Sequence, residues 1–301
     1  MRAIRLHAPG GPEHLVVDEI ETPGYGAGEA LVRVHAAAIT RDELGWPVDR
    51  LPATPSYEFS GVVAAIGTDV DNVMVGEPVY ALSGFDRDGA AADYTVVPAD
   101  VLAPKPRTLS HVESAAIPLA ALSAWQALFD HGRLGQGERV LVHGATGGVG
   151  HFGVQLARWR GSRVIAPVSS ANIEAARELG ADEVIDSAEA RFEEVVDPVD
   201  LVFDTVGGDR LERSPAVIRR GGRLVSVAEE PPREAAISTA FFIVEPSREE
   251  LVELATLADA GDLRPAIDRV FPLADARDAF ERSMSHAGRG KIVLRVADGE
   301  A

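Results

Sequence analysis

The stretch Glu138–Gly150, ERVLVHGATGGVG, decides the fold. Arg139–His143 is a short apolar run with β-branched residues, the pattern of a buried strand. Gly144-Ala145-Thr146-Gly147-Gly148-Val149-Gly150 then turns directly into HFGVQLARWRG, where Val149, Phe152, Gly153, Leu156 and Ala157 recur at helical spacing. A strand, a glycine turn and a helix N-terminus together suit a pyrophosphate, because the first helical N–H groups lack internal partners and the helix dipole is positive there. With alanine in the first glycine slot the motif reads A-x-G-x-x-G. Glycines let the backbone approach phosphate closely, and Gly150 lets helix and strand pack tightly. Tight turns also use glycine for steric reasons alone. It is the strand before and the helix after that argue for a dinucleotide at Thr146, Gly147, Gly148 and Val149.

Outward from this turn, strands and helices alternate: Arg163–Val168, helix Ala171–Leu179, Glu183–Ile185, a short helix near Arg191, Leu201–Val206, helix Leu211–Arg219, then strands Arg223–Val227 and Phe241–Val244. Alternation predicts a parallel sheet with helices on both faces. Upstream the texture differs. Ala3–Leu6, Leu15–Glu19, Ala30–Ile39, Gly61–Ile66, Pro78–Ala81 and Tyr94–Val97 read as short strands separated by Gly and Pro, which predicts a small barrel-like β domain. Ser110–Gly132 reads as helix broken at Pro118. Downstream, helix Arg248–Ala260 stops at Gly261, followed by Ala266–Phe271, helix Ala274–Met284 and strand Lys291–Val296. This tail resembles the first part more than the second and is expected to return to the β domain.

The 301 residues can bury a sizeable core in one large or two medium domains. Acidic residues outnumber basic ones, 47 to 29, for a net charge of −18. That argues against nucleic acid and anionic membrane surfaces as partners. The absence of cysteine excludes disulfides, thiolate zinc sites and cysteine nucleophiles. No apolar run approaches the roughly 18–20 residues of a membrane span, and the first residues lack a signal-peptide core, so a cytoplasmic protein is expected. His7, His14, His35, His111, His131, His143, His151 and His286 form no HExxH or closely spaced pair, and no metal site is expected.

Seven pieces, in order, now carry a resemblance. They are Tyr57-Glu58-Phe59-Ser60-Gly61-Val62-Val63, Pro118–Leu128, the glycine turn, Leu179-Gly180-Ala181-Asp182, Asp204-Thr205-Val206-Gly207-Gly208, Phe241–Pro246 and Gly290-Lys291-Ile292-Val293-Leu294. Along essentially its whole length the chain resembles the zinc-independent quinone oxidoreductase (zeta-crystallin-like) branch of the medium-chain dehydrogenase/reductase superfamily. The resemblance implies an α/β protein: a GroES-like β domain from residues 1–112 and 262–301, a doubly wound Rossmann domain over 113–261, and an active site in the cleft. It also implies a homodimer.

An acidic residue about 20 positions past the glycines grips the ribose of NAD. Pro167 occupies that slot here, followed by Ser169, Ser170 and Asn172. In related reductases such a turn binds the 2′-phosphate, which implies NADPH; the alternative is that Ser169 or Ser170 caps the next helix. The resemblance further puts Ser123, Val206, Val227 and Ala228 at the cofactor. Phe242 and Ile243 either flank the nicotinamide or form a dimer seam. Lys291 either reaches the pyrophosphate or is an ordinary surface lysine.

The zinc slots of metal-dependent relatives align with Thr40 and Tyr57, so no zinc is implied. Without a Lewis acid, the acceptors expected are quinones, enones and enals, whose conjugated carbonyl groups disperse the developing charge. Thr40, Glu43, Trp46, Tyr57 and Phe242 are the pocket candidates. Tyr57 is either a proton donor or an aromatic wall; Trp46 either stacks on a flat acceptor or packs a loop. Thr40-Arg41-Asp42-Glu43 stands where the family usually has Asn-Pro-x-Asp. Two other readings stay open: an enoyl-thioester reductase, and an NADPH-binding protein without turnover.

Overall fold

The computed structural model describes residues 1–46, 49–285 and 288–297. His286 lies outside them. The chain forms two compact units, one of Met1–Leu119, Pro246–Gly261 and Pro265 onward, the other of Ala120–Glu245 and Asp262–Arg264.

Unit one starts with the antiparallel hairpin β1 (Arg2–Leu6) and β2 (Leu15–Glu19). Next come β3 (Glu29–Ile39), β4 (Glu58–Ile66), β5 (Pro78–Leu82), β6 (Tyr94–Pro98) and the two-residue β7 (Ala103–Pro104), each antiparallel to its neighbour. β3 is the spine, pairing with β4 and β6. Its run Ala36-Ala37-Ala38 is buried, and the small side chains of Ala36 and Ala38 let Ala115 and Ala116 of helix α1 (His111–Ala115) and its cap pack closely. A Cβ on Gly61 would stand 2.2 Å from the Arg33 carbonyl oxygen, so only glycine fits the β3–β4 crossing. Ser110 and Glu113 close a capping box at the start of α1.

Pro118 opens α2 (Pro118–Trp125), the break the sequence predicts. A π-helical turn, Gln126–His131, follows without interruption.

Unit two holds β8 (Arg139–Val142), α3 (Gly150–Trp159), β9 (Arg163–Val168), α4 (Ile173–Leu179), β10 (Glu183–Asp186), α5 (Phe192–Val195), β11 (Val199–Asp204), α6 (Gly208–Arg213), β12 (Ile218–Ser226) and β13 (Ser238–Phe241). The sheet order is β10-β9-β8-β11-β12-β13 and every pairing is parallel. The direction of winding reverses between β8 and β11, where doubly wound sheets bind nucleotides beyond the carboxyl ends of their strands. Two elements shift from expectation. The helix expected over Leu211–Arg219 gives way at Pro215, and β12 already begins at Ile218. The strand expected at Phe241–Val244 ends at Phe241, because the Gln126 amide donates to Glu245 O (2.9 Å) and accepts from Glu245 N–H (3.1 Å), holding the next residues out of the ladder.

The tail carries α7 (Arg248–Ala260), β14 (Ile267–Pro272), α8 (Ala276–Met284) and β15 (Lys291–Arg295). β15 lies antiparallel to β3, Ile292 against Ile39, so the tail does return to the β domain. α7 ends in Gly261 at φ 83°, a left-handed cap. It belongs to unit one, where Tyr80 donates its hydroxyl proton to Leu251 O (2.5 Å) and Arg248 donates to Leu102 O (2.9 Å). The chain therefore crosses between the units at 119/120 and 245/246, and again on either side of Asp262–Arg264, where 112/113 and 261/262 were expected.

Candidate active site

In unit two, the turn after β8 is shaped by backbone crowding. Gly144 has φ +71°, and a Cβ there would meet Thr205 Oγ1 at 2.3 Å. A Cβ on Gly150 would meet Gly144 O at 2.1 Å. Gly147 N–H donates to Gly144 O (2.8 Å), and His151 N–H returns to Gly147 O (3.3 Å). Among the described residues the N–H groups of Gly148 and Val149 have no protein partner, at the start of a ten-residue helix. Thr146 is 8% exposed beside them. The arrangement fits a pyrophosphate: free N–H donors, a positive helix end and no side chain in the way.

The next two strand ends are tied together by a buried carboxylate that sequence reasoning quoted in a motif but did not assign. Asp204, 0% exposed, accepts from Ser226 Oγ (2.8 Å) and from Gly207 N (3.0 Å). Ser226 Oγ in turn accepts from Ala228 N (3.1 Å) and Glu229 N (3.2 Å). Thr205 Oγ1 donates to His143 O (2.8 Å). One network thus fixes the loops bearing Val206, Val227 and Ala228, of which Val206 and Ala228 are exposed and Val227 half-buried. Burial pushes the Asp204 pKa up, opposed by the Ser226 and Gly207 hydrogen bonds.

Ser169 and Ser170 are exposed just past β9, and Asn172 Nδ2 donates to Ser169 Oγ (3.2 Å). Ser169, which precedes the turn Ser170–Asn172, makes no side-chain cap bond. Ser123 is buried in α2. Phe242 stacks on His131, ring centroids 4.3 Å apart, while Phe241 and Ile243 are exposed.

In unit one, around the residues expected to meet the acceptor, buried charge dominates. Lys291 is 4% exposed, and its ammonium pairs with Glu58 Oε1 (2.6 Å) while donating to Ile39 O (2.9 Å) and Thr40 Oγ1 (3.4 Å). It is neither a surface lysine nor a free cation: its ammonium is held by Glu58, Ile39 and Thr40. The cause is the register of β15 against β3, which sets Lys291 at the carboxyl end of β3. Glu58 Oε2 accepts from Leu119 N (2.8 Å). Glu43, 1% exposed, accepts Thr40 N–H on Oε2 and Ser56 N–H on Oε1, both at 3.0 Å. Burial raises its pKa to about 8, against the two N–H bonds and the Lys291 charge. Glu43 thereby braces Thr40, which is half-buried.

Trp46 and Tyr57 do come together, joined by Phe85, which the sequence reading missed. Trp46 lies 5.6 Å from Tyr57 and 5.1 Å from Phe85, and Tyr57 lies 5.3 Å from Phe85, the last two edge-on. Tyr57 is fully buried, and its oxygen accepts from Arg50 Nη2 (3.3 Å). Among the described residues, no three His, Asp or Glu side chains gather as metal ligands, and the chain has no cysteine.

A parallel β10-β9-β8-β11-β12-β13 sheet with a glycine turn at its switch point, in a chain that also carries a separate β unit, defines a dinucleotide-binding dehydrogenase or reductase fold. The comparisons narrow this. Residues 26–107 match the model of the alcohol dehydrogenase GroES-like domain and residues 179–294 that of the zinc-binding dehydrogenases. A probable zinc-binding oxidoreductase, mitochondrial, of Arthroderma benhamiae is 30% identical over 98% of this chain and 96% of its own. The chloroplastic NADPH-dependent alkenal/one oxidoreductase of Arabidopsis thaliana is 30% identical over 95% and 77%. The solved structure of the quinone oxidoreductase from Coxiella burnetii superposes with a TM-score of 0.91 at 32% identity, covering 99% of both chains. The chain belongs to the medium-chain dehydrogenase/reductase superfamily, among its quinone oxidoreductase-like members.

Proposed function

We propose that the protein is an NADPH-dependent reductase of quinones and other alkenes or carbonyls activated by conjugation, working without a metal ion. The observation that carries this reading is the glycine turn, where added Cβ atoms would strike backbone or Thr205 and two N–H groups stand free. NADPH supplies the hydride. Thr146–Val149 hold its pyrophosphate; Ser169, Ser170 and Asn172, with no carboxylate among them, receive the 2′-phosphate. Ser123 and the loops at Val206, Val227 and Ala228 border the nicotinamide. Glu43 keeps its proton at neutral pH and fixes Thr40, and Trp46, Tyr57 and Phe85 give a flat acceptor an aromatic wall. Tyr57 acts as wall; its burial under Trp46 and Phe85 speaks against a proton donor.

Loss of absorbance at the reduced-nicotinamide band on adding 9,10-phenanthrenequinone, faster with NADPH than with NADH, is the expected result. Tight NADPH binding with no turnover across quinones, enals and enoyl-thioesters would make the protein a binder; turnover of a crotonyl-thioester alone would make it an enoyl-thioester reductase. Ser169→Asp with Asn172→Asp should abolish the preference for NADPH, and an unchanged preference would remove the phosphate from that turn.

The exposed Phe241 and Ile243 beside edge strand β13 favour a homodimer seam, checked by whether Ile243→Lys halves the mass in solution. No helix among the described residues is long and apolar enough to cross a membrane. A cytoplasmic location is part of the same reading.

A further inference from the structure

We propose that Arg50 is the residue that meets the acceptor's oxygen, selecting flat conjugated carbonyls whose oxygen becomes, or already is, an anion. This rests on the reductase reading above and adds the group that handles the charge. Arg50 is half-buried. Its Nη2 donates to Phe85 O (2.8 Å) and to Tyr57 Oη (3.3 Å), two neutral oxygens. Three other half-buried arginines are neutralised, Arg223 by Glu138 at 2.5 Å, Arg282 by Asp268 at 2.9 Å and Arg213 by Glu193 at 2.5 Å, whereas Arg248, like Arg50, donates to a backbone carbonyl. Arg50 has no carboxylate partner among the described residues, in a chain with 47 acidic side chains to choose from. A guanidinium cannot shed its proton, so its charge persists when water is partly withdrawn.

Two fixed bonds through one nitrogen leave the other face of the guanidinium plane, Nε and Nη1, with N–H donors to spend. Through Tyr57 and the Phe85 carbonyl the guanidinium is tied to the cluster of Trp46, Tyr57 and Phe85 rings, which suits a planar molecule. Positive charge next to an aromatic wall fits a quinone or enone oxygen. Hydride addition to the conjugated system brings two electrons and one hydrogen. The oxygen takes the negative charge, Arg50 stabilises it, and a solvent proton completes the reduced product. Donors fixed before reaction are worth more than mobile water. Tyr57 and the Phe85 carbonyl are positioning groups: they aim the guanidinium.

The test uses a ligand that already carries the charge. 2-Hydroxy-1,4-naphthoquinone is an enolate at neutral pH, and 1,4-naphthoquinone is its neutral counterpart. Binding of each is followed by quenching of tryptophan fluorescence, with no cofactor added. Arg50→Met should weaken the enolate at least tenfold and the neutral quinone less than twofold, while Arg50→Lys keeps most of the enolate affinity. With NADPH and the neutral quinone, Arg50→Met should lower kcat at least tenfold and leave the KM for NADPH unchanged. Equal losses for both ligands, or none, would overturn the proposal, as would a normal kcat. A thermal melt within a few degrees of the parent shows that the variant is folded. Wild-type protein that binds the enolate but turns over nothing removes the proposed activity and keeps the Arg50 site. Turnover unaffected by Arg50→Met does the reverse.

Discussion

The proposed nucleotide turn of unit two and the proposed acceptor residues of unit one are built from different materials. The first is backbone: glycines, free N–H groups and a helix start, joined over a dozen residues of chain. The second is side chain: Glu58 with Lys291, Glu43 with Thr40 and Ser56, Arg50 with Tyr57 and Phe85, the first of these paired across more than 200 residues. Backbone sites fail when space is lost, whereas side-chain sites fail when a partner is lost. Removing one member of a buried ion pair strands the other, and that costs more than a local clash the chain can relax around.

The sharpest way to break this contrast is Lys291→Met. It leaves Glu58 buried at 0% exposure without its cation, and about 3–5 kcal/mol of stability should be lost in a denaturant titration. Glu58→Gln added to it should recover part of the loss; no loss at all would dissolve the comparison. Next comes Gly150→Ala, whose methyl group would sit 2.1 Å from Gly144 O, expected to cost about 1–3 kcal/mol and to weaken NADPH in a fluorescence titration. Asp204→Asn should cost less, about 1 kcal/mol, because an amide oxygen in the Oδ2 place still accepts from Gly207 N–H and Ser226, and only the longer Oδ1 bonds from Val206 and Gly207 N–H are lost. Its larger mark should be a weaker NADPH affinity, since the loop at Val206 loses its hold on Oδ1.

The smallest effect is in pH dependence. Glu43 has a folded pKa of about 8 against an ordinary 4.5, so the native state holds a proton that the unfolded state releases. Its contribution is whole below pH 4.5 and drains away as pH rises to 8. His143 runs the other way: burial pulls its pKa down to about 3, so its contribution is lost as pH falls from 6.5 towards 3. Glu43→Gln should flatten the alkaline limb of a stability–pH curve and leave the acid limb alone.

The same contrast explains what was legible beforehand. The alternating strands, the helix break at Pro118, the Gly261 cap and the turn at Gly144–Gly150 are local rules of propensity and sterics, so the residues alone reveal them. Phe85, Arg50 and the inward Lys291 depend on which distant strands become neighbours. Lys291 looks like any lysine until β15 is laid on β3. Asp204 lay in plain view within Asp204–Gly208, yet nothing in its neighbours indicates that Ser226 will arrive beside it. The Phe241–Val244 run has strand composition and still leaves the sheet, because the amide of Gln126 claims Glu245 first.

The pairing of β15 with β3 also sets an order of events during synthesis. β3 emerges from the ribosome some 250 residues before β15, so its Ala36–Ile39 stretch waits for that partner, while Glu29–Arg33 already pairs with β6 and unit two, which is nearly continuous in sequence, already has every strand it needs. The unit that begins first is the last to close. A nascent chain stalled before Lys291 should therefore present a bare strand edge that holdase chaperones bind.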